Sequence, residues 1–91
     1  MSKIVTQIDF SEFTPDKYSK TLEDLDSAGQ GHPKGRIYHV AIQKDKGMRV
    51  YGLWESEKDF KEFSKTLVPI LQKNGFKPPK PVMFPVFNYL H

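Results

Sequence analysis

The chain has 91 residues, of which 37% are hydrophobic, and this length allows one domain (residues 1–91) but not two. It contains no cysteine, which excludes disulfides, iron–sulfur clusters and thiolate metal sites. The formal net charge of +3 comes from dispersed lysines and only two arginines, so we interpret it as a solvated surface rather than a nucleic-acid-binding face.

The first part of the chain predicts a strand followed by a capped helix. Residues 3–10 are rich in β-branched side chains, which are typical of a strand. Thr14-Pro15-Asp16 is typical of a helix start, with threonine as the N-cap and proline in the first turn. Residues 29–35 contain glycine and proline and predict a loop. Between the cap and the loop, the apolar face of the helix consists of Tyr18, Leu22 and Leu25.

The middle of the chain predicts a β-hairpin. Residues 35–43 and 47–55 both alternate in the manner of strands, and a tight turn joins them. We expect this turn to pair Lys44 with Gly47. The hairpin register then follows, and it fixes which side chains share a face of the sheet.

A second helix and a last strand complete the predicted order of elements. Ser56 and Asp59 resemble a capping box, and the helix extends to Asn74-Gly75. Pro69 lies inside this helix and predicts a kink or a break into two pieces. Residues 82–90 predict the last strand, at a sheet edge or with a bulge, because Pro85 cannot donate a backbone hydrogen bond. The apolar face of the second helix consists of Phe60, Phe63, Leu67, Ile70 and Leu71.

The order β-α-β-β-α-β predicts an α+β, ferredoxin-like fold. Right-handed crossovers give a four-stranded antiparallel sheet with both helices on one face. The hairpin register would place Ile37 opposite Trp54, His39 opposite Gly52, and Ala41 opposite Val50 on one face. The other face would present Tyr38, Val40, Ile42, Arg49, Tyr51 and Leu53. Both faces are substantially apolar, so we expect a homodimer through the open sheet face.

A pocket is predicted between the sheet and the helices. Gly52 and Ala41 are small, and they leave space beside His39 and Trp54. His39 could move a proton or orient a ligand, Trp54 could stack on a flat aromatic ligand, and Asn88 could donate a hydrogen bond. The alternative is a plain core filled by the aromatic residues of the second helix. The candidate pocket residues are His39, Gly52, Trp54, Phe63 and Asn88.

No other chemistry is indicated by spacing. The three histidines suggest no metal site, and His91 is chain-terminal and could belong to a cloning remnant. No catalytic triad, phosphate-binding glycine loop or pair of inward carboxylates is present. We therefore expect no metal. Without a signal-peptide pattern or a membrane-length apolar segment, the expected location is the cytoplasm, with no membrane partner.

The order of elements and the run YGLWESEKDFKEF at residues 51–63 resemble the antibiotic biosynthesis monooxygenase family of the dimeric α/β barrel superfamily. The resemblance implies a homodimer of ferredoxin-like subunits, and a cavity in which some members oxidise polycyclic aromatic compounds without metal or flavin. It therefore implies a pocket that holds no cofactor. Haem-degrading relatives share a tryptophan at the place of Trp54. They also use an asparagine on the first strand, where this chain has Thr6 and Gln7, and a histidine on the second helix, which this chain lacks. Haem degradation is therefore not expected.

Three functions remain open from the sequence. The first is a cofactor-independent monooxygenase-like enzyme, or a binder of a small aromatic molecule, that uses the cavity near Trp54 and His39. The second is a non-catalytic structural or regulatory dimer with a solid core. The third is an RNA-binding module, because RNA-recognition domains share this order of elements and place aromatic residues on the open face. The third strand lacks the usual basic and aromatic motif of such domains, so a nucleic-acid partner is disfavoured.

Overall fold

The computed structural model describes residues 3–89 and contains one four-stranded antiparallel sheet with two helices. The sheet order is β2-β3-β1-β4, which makes β2 and β4 the edge strands. The predicted ferredoxin-like α+β fold is confirmed. No helix in the described part of the chain is long and apolar enough to cross a bilayer. The elements are β1 Ile4–Ser11, α1 Pro15–Ser27, β2 Arg36–Lys44, β3 Gly47–Trp54, α2 Glu57–Lys73 and β4 Val82–Pro85.

Both helices begin at the predicted caps. The Thr14 hydroxyl accepts a hydrogen bond from the backbone N–H of Lys17 at 3.3 Å. The Ser56 hydroxyl accepts one from the backbone N–H of Asp59 at 3.2 Å and donates to the Asp59 carboxylate at 3.1 Å. These bonds satisfy backbone donors that have no partner inside the helix. The caps therefore fix where α2 begins, just after the end of β3.

The two helices cover the face of the sheet that carries His39 and Trp54. The main hydrophobic core lies between this face and the helices, where Leu71 and Trp54 are almost fully buried. Phe13, just before α1, also joins this core and stacks on Phe10 with ring centroids 4.7 Å apart. The core thus closes over the sheet at both ends of α1.

One predicted register is wrong at the start of β2. The hairpin pairs Lys44 with Gly47, and it continues in the predicted register to the pair His39 and Gly52. A β-bulge then falls between Arg36 and Tyr38, so that Arg36 rather than Ile37 pairs with Trp54. A bulge sets two residues of one strand against one of its partner, which turns the next side chain to the other face. Arg36 consequently joins the helix-covered face.

Two further expectations about the second half need correction. The helix α2 is unbroken through Pro69, so the predicted break into two pieces is wrong. The last strand ends at Pro85 and does not extend to Leu90, which lies outside the described residues, as does His91. Pro85 has no backbone N–H, and pairing continues only as far as a hydrogen bond from the Val86 N–H to the Lys3 carbonyl at 3.1 Å. Residues 86–89 therefore lie beyond the sheet ladder.

The face opposite the helices is open and largely apolar. Five of its side chains are between 43% and 55% exposed, namely Tyr38, Val40, Ile42, Val82 and Phe84. On the same face, the Arg49 Nε donates to the Asp9 carboxylate at 2.6 Å. Tyr89 reaches Tyr38 edge to face, with ring centroids 6.5 Å apart, so the segment after β4 crosses one end of this face.

Candidate functional site

A small cavity lies between the helix-covered face of the sheet and the two helices. About 50 Å³ of it can be reached by the centre of a water molecule. Its walls are mostly apolar, with a few polar groups, which is the usual composition of a small-molecule site. The lining residues are Thr6, Ile8, Phe10, Phe13, Tyr18, Thr21, Leu22, Leu25, Arg36, His39, Val50, Gly52, Trp54, Phe60, Phe63 and Leu67.

The structure brings four of the five candidate pocket residues to this cavity. His39, Gly52, Trp54 and Phe63 all line it. Asn88 is not among the lining residues; it is exposed and lies in the segment after β4. The reason is that β4 ends at Pro85. Asn88 therefore lies beyond the sheet and not on a strand whose side chains face the helices.

Trp54 supplies a buried hydrogen-bond donor with no acceptor. The side chain is 2% exposed, and its ring packs against Phe60 and Phe63 with centroid distances of 5.4 and 5.3 Å. Among the described residues, its Nε1 has no hydrogen-bond partner. An unpaired buried donor costs about 1–3 kcal/mol, so such a group calls for an explanation. An oxygen atom of a ligand in the cavity would satisfy it.

Gly52 allows the indole to occupy this position. A Cβ atom at residue 52 would lie 2.6 Å from Trp54 Nε1 and 3.1 Å from Thr6 Oγ1. Both distances are shorter than ordinary van der Waals contact. Glycine is therefore required here by close approach of the indole edge to the backbone of β3.

Tyr18 and His39 form a polar pair at one side of the cavity. The Tyr18 hydroxyl lies 2.7 Å from His39 Nε2, and the two rings are roughly parallel. Burial lowers the pKa of His39, and the nearby positive charge of Arg36 lowers it further. Burial raises the pKa of Tyr18. At neutral pH the imidazole is consequently neutral and able to accept a proton, while the phenol keeps its own proton.

Arg36 is the third polar group at this side, and no pattern in the sequence indicates it. Its guanidinium is half-buried and donates to the Gly31 carbonyl at 3.1 Å. Burial lowers the pKa of Arg36. Regular alternation continued from Tyr38 would put Arg36 on the open face, and only the bulge at Ile37 turns it toward the cavity. Tyr18 was predicted as a core residue of α1, and its contact with His39 depends on how the helix lies across the sheet.

No three histidine, aspartate or glutamate side chains within residues 3–89 are arranged to hold a metal ion. The polar side chains that line the cavity belong to Trp54, the Tyr18–His39 pair, Arg36 and the two threonines Thr6 and Thr21.

Comparison with known proteins gives matches at the level of structure. No family model matches the sequence, and no curated protein matches it. SnoaB, a cofactor-independent oxygenase from Streptomyces nogalater, superposes with a TM-score of 0.70 at 12% identity, covering 99% of this chain and 98% of that one. The chain has the fold of this oxygenase.

Two other solved structures have the same fold. The monooxygenase ActVA-Orf6 of Streptomyces coelicolor, in complex with nanaomycin D, has a TM-score of 0.66 at 18% identity and covers 99% of this chain and 92% of its own. The NE2512 protein of unknown function from Nitrosomonas europaea has a TM-score of 0.69 at 14% identity, with 100% and 95% coverage. The fold implied by the resemblance to antibiotic biosynthesis monooxygenases is thus confirmed over essentially the whole chain.

Proposed function

We propose that this protein is a cofactor-independent oxygenase that binds a small hydroxylated aromatic molecule in the cavity at Trp54. The observation that carries the proposal is the unpaired, buried Nε1 donor of Trp54, a residue that lines a mostly apolar cavity. A phenol or carbonyl oxygen is the acceptor that this donor lacks, and the flanking aromatic side chains suit a flat ring.

The size of the cavity restricts the ligand. Drug-sized ligands occupy roughly 300 Å³ or more, whereas this cavity offers about 50 Å³. A single aromatic ring therefore suits it better than a fused polycyclic system, because it requires a smaller outward movement of α1 and α2. This point distinguishes the present proposal from the polycyclic substrates that the resemblance alone implies.

The neutral His39 supports a proton-transfer step. We propose that the bound phenol passes its proton to the Tyr18 hydroxyl while the Tyr18 proton moves to His39 Nε2, so that the electron-rich phenolate can pass electrons to O₂. The ring carbon and oxygen then form a peroxide, and loss of water leaves a carbonyl. In total, one phenol and one O₂ give one quinone and one water, so the substrate is the only reductant. Tyr18, hydrogen-bonded to Nε2, orients the imidazole.

The open sheet face supports a homodimer as part of the same proposal. The exposed apolar side chains of β2 and β4 form a continuous patch that a second copy of the sheet would cover. Phe87, in the segment after β4, is also fully exposed. We place the protein in the cytoplasm, in keeping with a chain that has no cysteine.

A non-catalytic dimer is the second candidate. The observation that favours it is the small volume of the cavity, which approaches that of an ordinary packing defect. In that case Trp54 and His39 would be core residues that contribute only to packing. The RNA-binding alternative has less support, because the Arg49 guanidinium on the open face is engaged by Asp9.

Oxygen consumption by the wild-type protein and by the Trp54→Phe variant separates these candidates. We expect single-ring hydroquinones and phenols to be oxidised with one O₂ used per quinone formed.

Trp54→Phe keeps an aromatic ring in the core but removes the donor, and should weaken ligand binding by about tenfold, equivalent to about 1.4 kcal/mol. Calorimetric titration measures this. Ser64→Ala, on the half-buried side of α2 and outside the cavity lining, is the control.

Two results would count against an enzyme. Ligand binding without oxygen uptake would show that the protein binds the aromatic molecule but does not oxidise it. No binding of any phenol, with a folded dimer in solution, would favour the non-catalytic candidate.

A further inference from the structure

Arg36 lies where the cavity meets a second depression that opens on the protein surface. This outer depression is lined by residues of α1, the loop after it and β2, and has a volume of about 240 Å³. Tyr18, Arg36 and His39 line both the inner cavity and the outer depression. A molecule entering the cavity from this side would therefore pass the guanidinium.

The guanidinium of Arg36 has no carboxylate partner within residues 3–89. Its one side-chain hydrogen bond goes to the Gly31 carbonyl, which leaves most of its N–H donors unused. The other arginine, Arg49, is held by Asp9 at 2.6 Å. Asp26 also lines the outer depression but forms no ion pair with Arg36. Buried or half-buried cations are normally paired, because desolvation is costly without an opposite charge.

We infer that Arg36 is the recognition site for an anionic group on the ligand, and that the ligand is a single-ring hydroxylated aromatic carboxylic acid. The inference rests on the proposed function and adds the charge of the ligand to it. Arg36 and Trp54 are paired across the β2–β3 ladder, so they lie side by side on the same face. A short ligand can reach both, with its hydroxyl oxygen at the Trp54 donor and its carboxylate at the guanidinium.

The planar fork of arginine suits this task. It can donate two parallel hydrogen bonds to a carboxylate, and such charge-assisted bonds are about twice as strong as neutral ones. The tyrosine hydroxyl beside it offers a further polar contact for the same group. An amide in place of the carboxylate would keep the shape of the ligand but lose the charge, so comparison of the two isolates the contribution of Arg36.

The test uses the only tryptophan of the chain as the reporter. Quenching of Trp54 fluorescence is titrated with 4-hydroxybenzoate and with its neutral analogue 4-hydroxybenzamide. We expect the wild-type protein to bind the acid at least tenfold more tightly than the amide. Arg36→Gln should lose this preference, with acid affinity falling about tenfold and amide affinity changing less than threefold. Arg36→Lys should retain part of the preference, because the charge remains but the fork is lost.

A control variant separates local recognition from general attraction of anions to a basic protein. Lys65→Gln removes the same charge from an exposed position on α2 and should leave the preference unchanged. Circular dichroism checks that each variant is folded. If Arg36→Gln does not fold, the acid-to-amide ratio of the wild-type protein and of Arg36→Lys still decides the question.

The outcomes distinguish this inference from the proposed function. Equal affinity for acid and amide in the wild-type protein would overturn the role of Arg36 while leaving an aromatic ligand at Trp54 in place. An equal loss of both ligands in folded Arg36→Gln would also overturn it, because that pattern indicates a packing role. Absence of quenching by either compound would overturn both the inference and the proposal on which it rests.

Discussion

Arg36 pairs with Trp54 across the β2–β3 ladder, at the point where unbroken alternation would have placed Ile37. The pairing of β2 with β3 continues past this bulge. The Glu55 N–H donates to the Gly35 carbonyl at 2.7 Å, which continues the contact between β2 and β3 past the shift. One extra residue in an edge strand thus adds a cation to the wall of an apolar cavity.

Gly52→Ala should displace the indole of Trp54. The added Cβ would lie 2.6 Å from Nε1, and the indole is confined by Phe60 and Phe63. Overpacking of this kind costs about 1–3 kcal/mol. Urea unfolding measures the loss of stability, and weaker binding of aromatic ligands should accompany it.

Gly31→Ala is the matched control for that substitution. Its Cβ would also lie 2.6 Å from another atom, the Asp26 Oδ1, but this atom ends an exposed, flexible side chain. We expect a change below about 0.5 kcal/mol. Similar losses of stability in the two alanine variants would contradict the conclusion that the Trp54 indole packs directly against Gly52.

Tyr18→Phe should raise the pKa of His39 and reduce stability. The hydroxyl is 2.7 Å from Nε2, and a hydrogen bond to the neutral imidazole favours that form. Its removal should cost about 0.5–1.5 kcal/mol. Titration of the His39 ring protons by NMR gives the pKa. Tyr51→Phe, on the opposite face of the sheet, should leave it unchanged, and a His39 pKa that does not move in Tyr18→Phe would refute the role of this bond.

The stability of the protein should fall as the pH is lowered below about 6.5. Burial, with a smaller effect of Arg36, lowers the pKa of His39 from 6.5 in the folded state. As the pH falls below 6.5, the unfolded chain binds the proton first, so the stability present above this pH is lost as the pH passes through the folded-state pKa. The slope should not exceed about 1.4 kcal/mol per pH unit for one group.

His39→Gln should remove this dependence, and His32→Gln, at an exposed position, should not. Denaturant unfolding between pH 7.5 and 5 measures both. Asp9 and Asp24 do not interfere, because their pKa values are lowered from 3.8 and their effect falls at more acidic pH. An unchanged slope in His39→Gln would show that another group is responsible.

Val40→Lys should convert the proposed dimer into a monomer. Val40 is 55% exposed at the centre of β2 on the open face, and a charge there would be buried against a partner sheet. Light scattering after size exclusion measures the mass. Gln72→Lys, at an exposed position of α2, is the control. A wild-type protein that is monomeric at all concentrations would contradict the dimer outright.

The sequence predicted the fold because each element carries its own local signal. The caps at Thr14 and Ser56 and the turn at Lys44 and Gly47 depend on neighbouring residues only. Trp54, Gly52, His39 and Phe63 could be placed near one cavity from alternation and helical spacing, since these residues lie where the register is regular.

Other parts of the site have no local signal. Ile37, the extra residue of the bulge, is one more apolar residue in an apolar alternation. Nothing in the sequence pattern therefore distinguishes the bulge from a regular strand. The contact of Tyr18 with His39 depends on how α1 lies across the sheet, which periodicity does not specify. Asn88 was misplaced because Pro85 ends the ladder earlier than the apolar run suggested.

The proposed function requires the Trp54 donor to bind an oxygen atom of an aromatic ligand. The most direct measurement is the ¹H–¹⁵N NMR signal of the indole N–H, which is unique because the chain has one tryptophan. On addition of 4-hydroxybenzoate, we predict a saturable downfield shift of this proton, as expected when it forms a hydrogen bond. An indole signal that stays in place while the ligand is present in large excess would contradict the account.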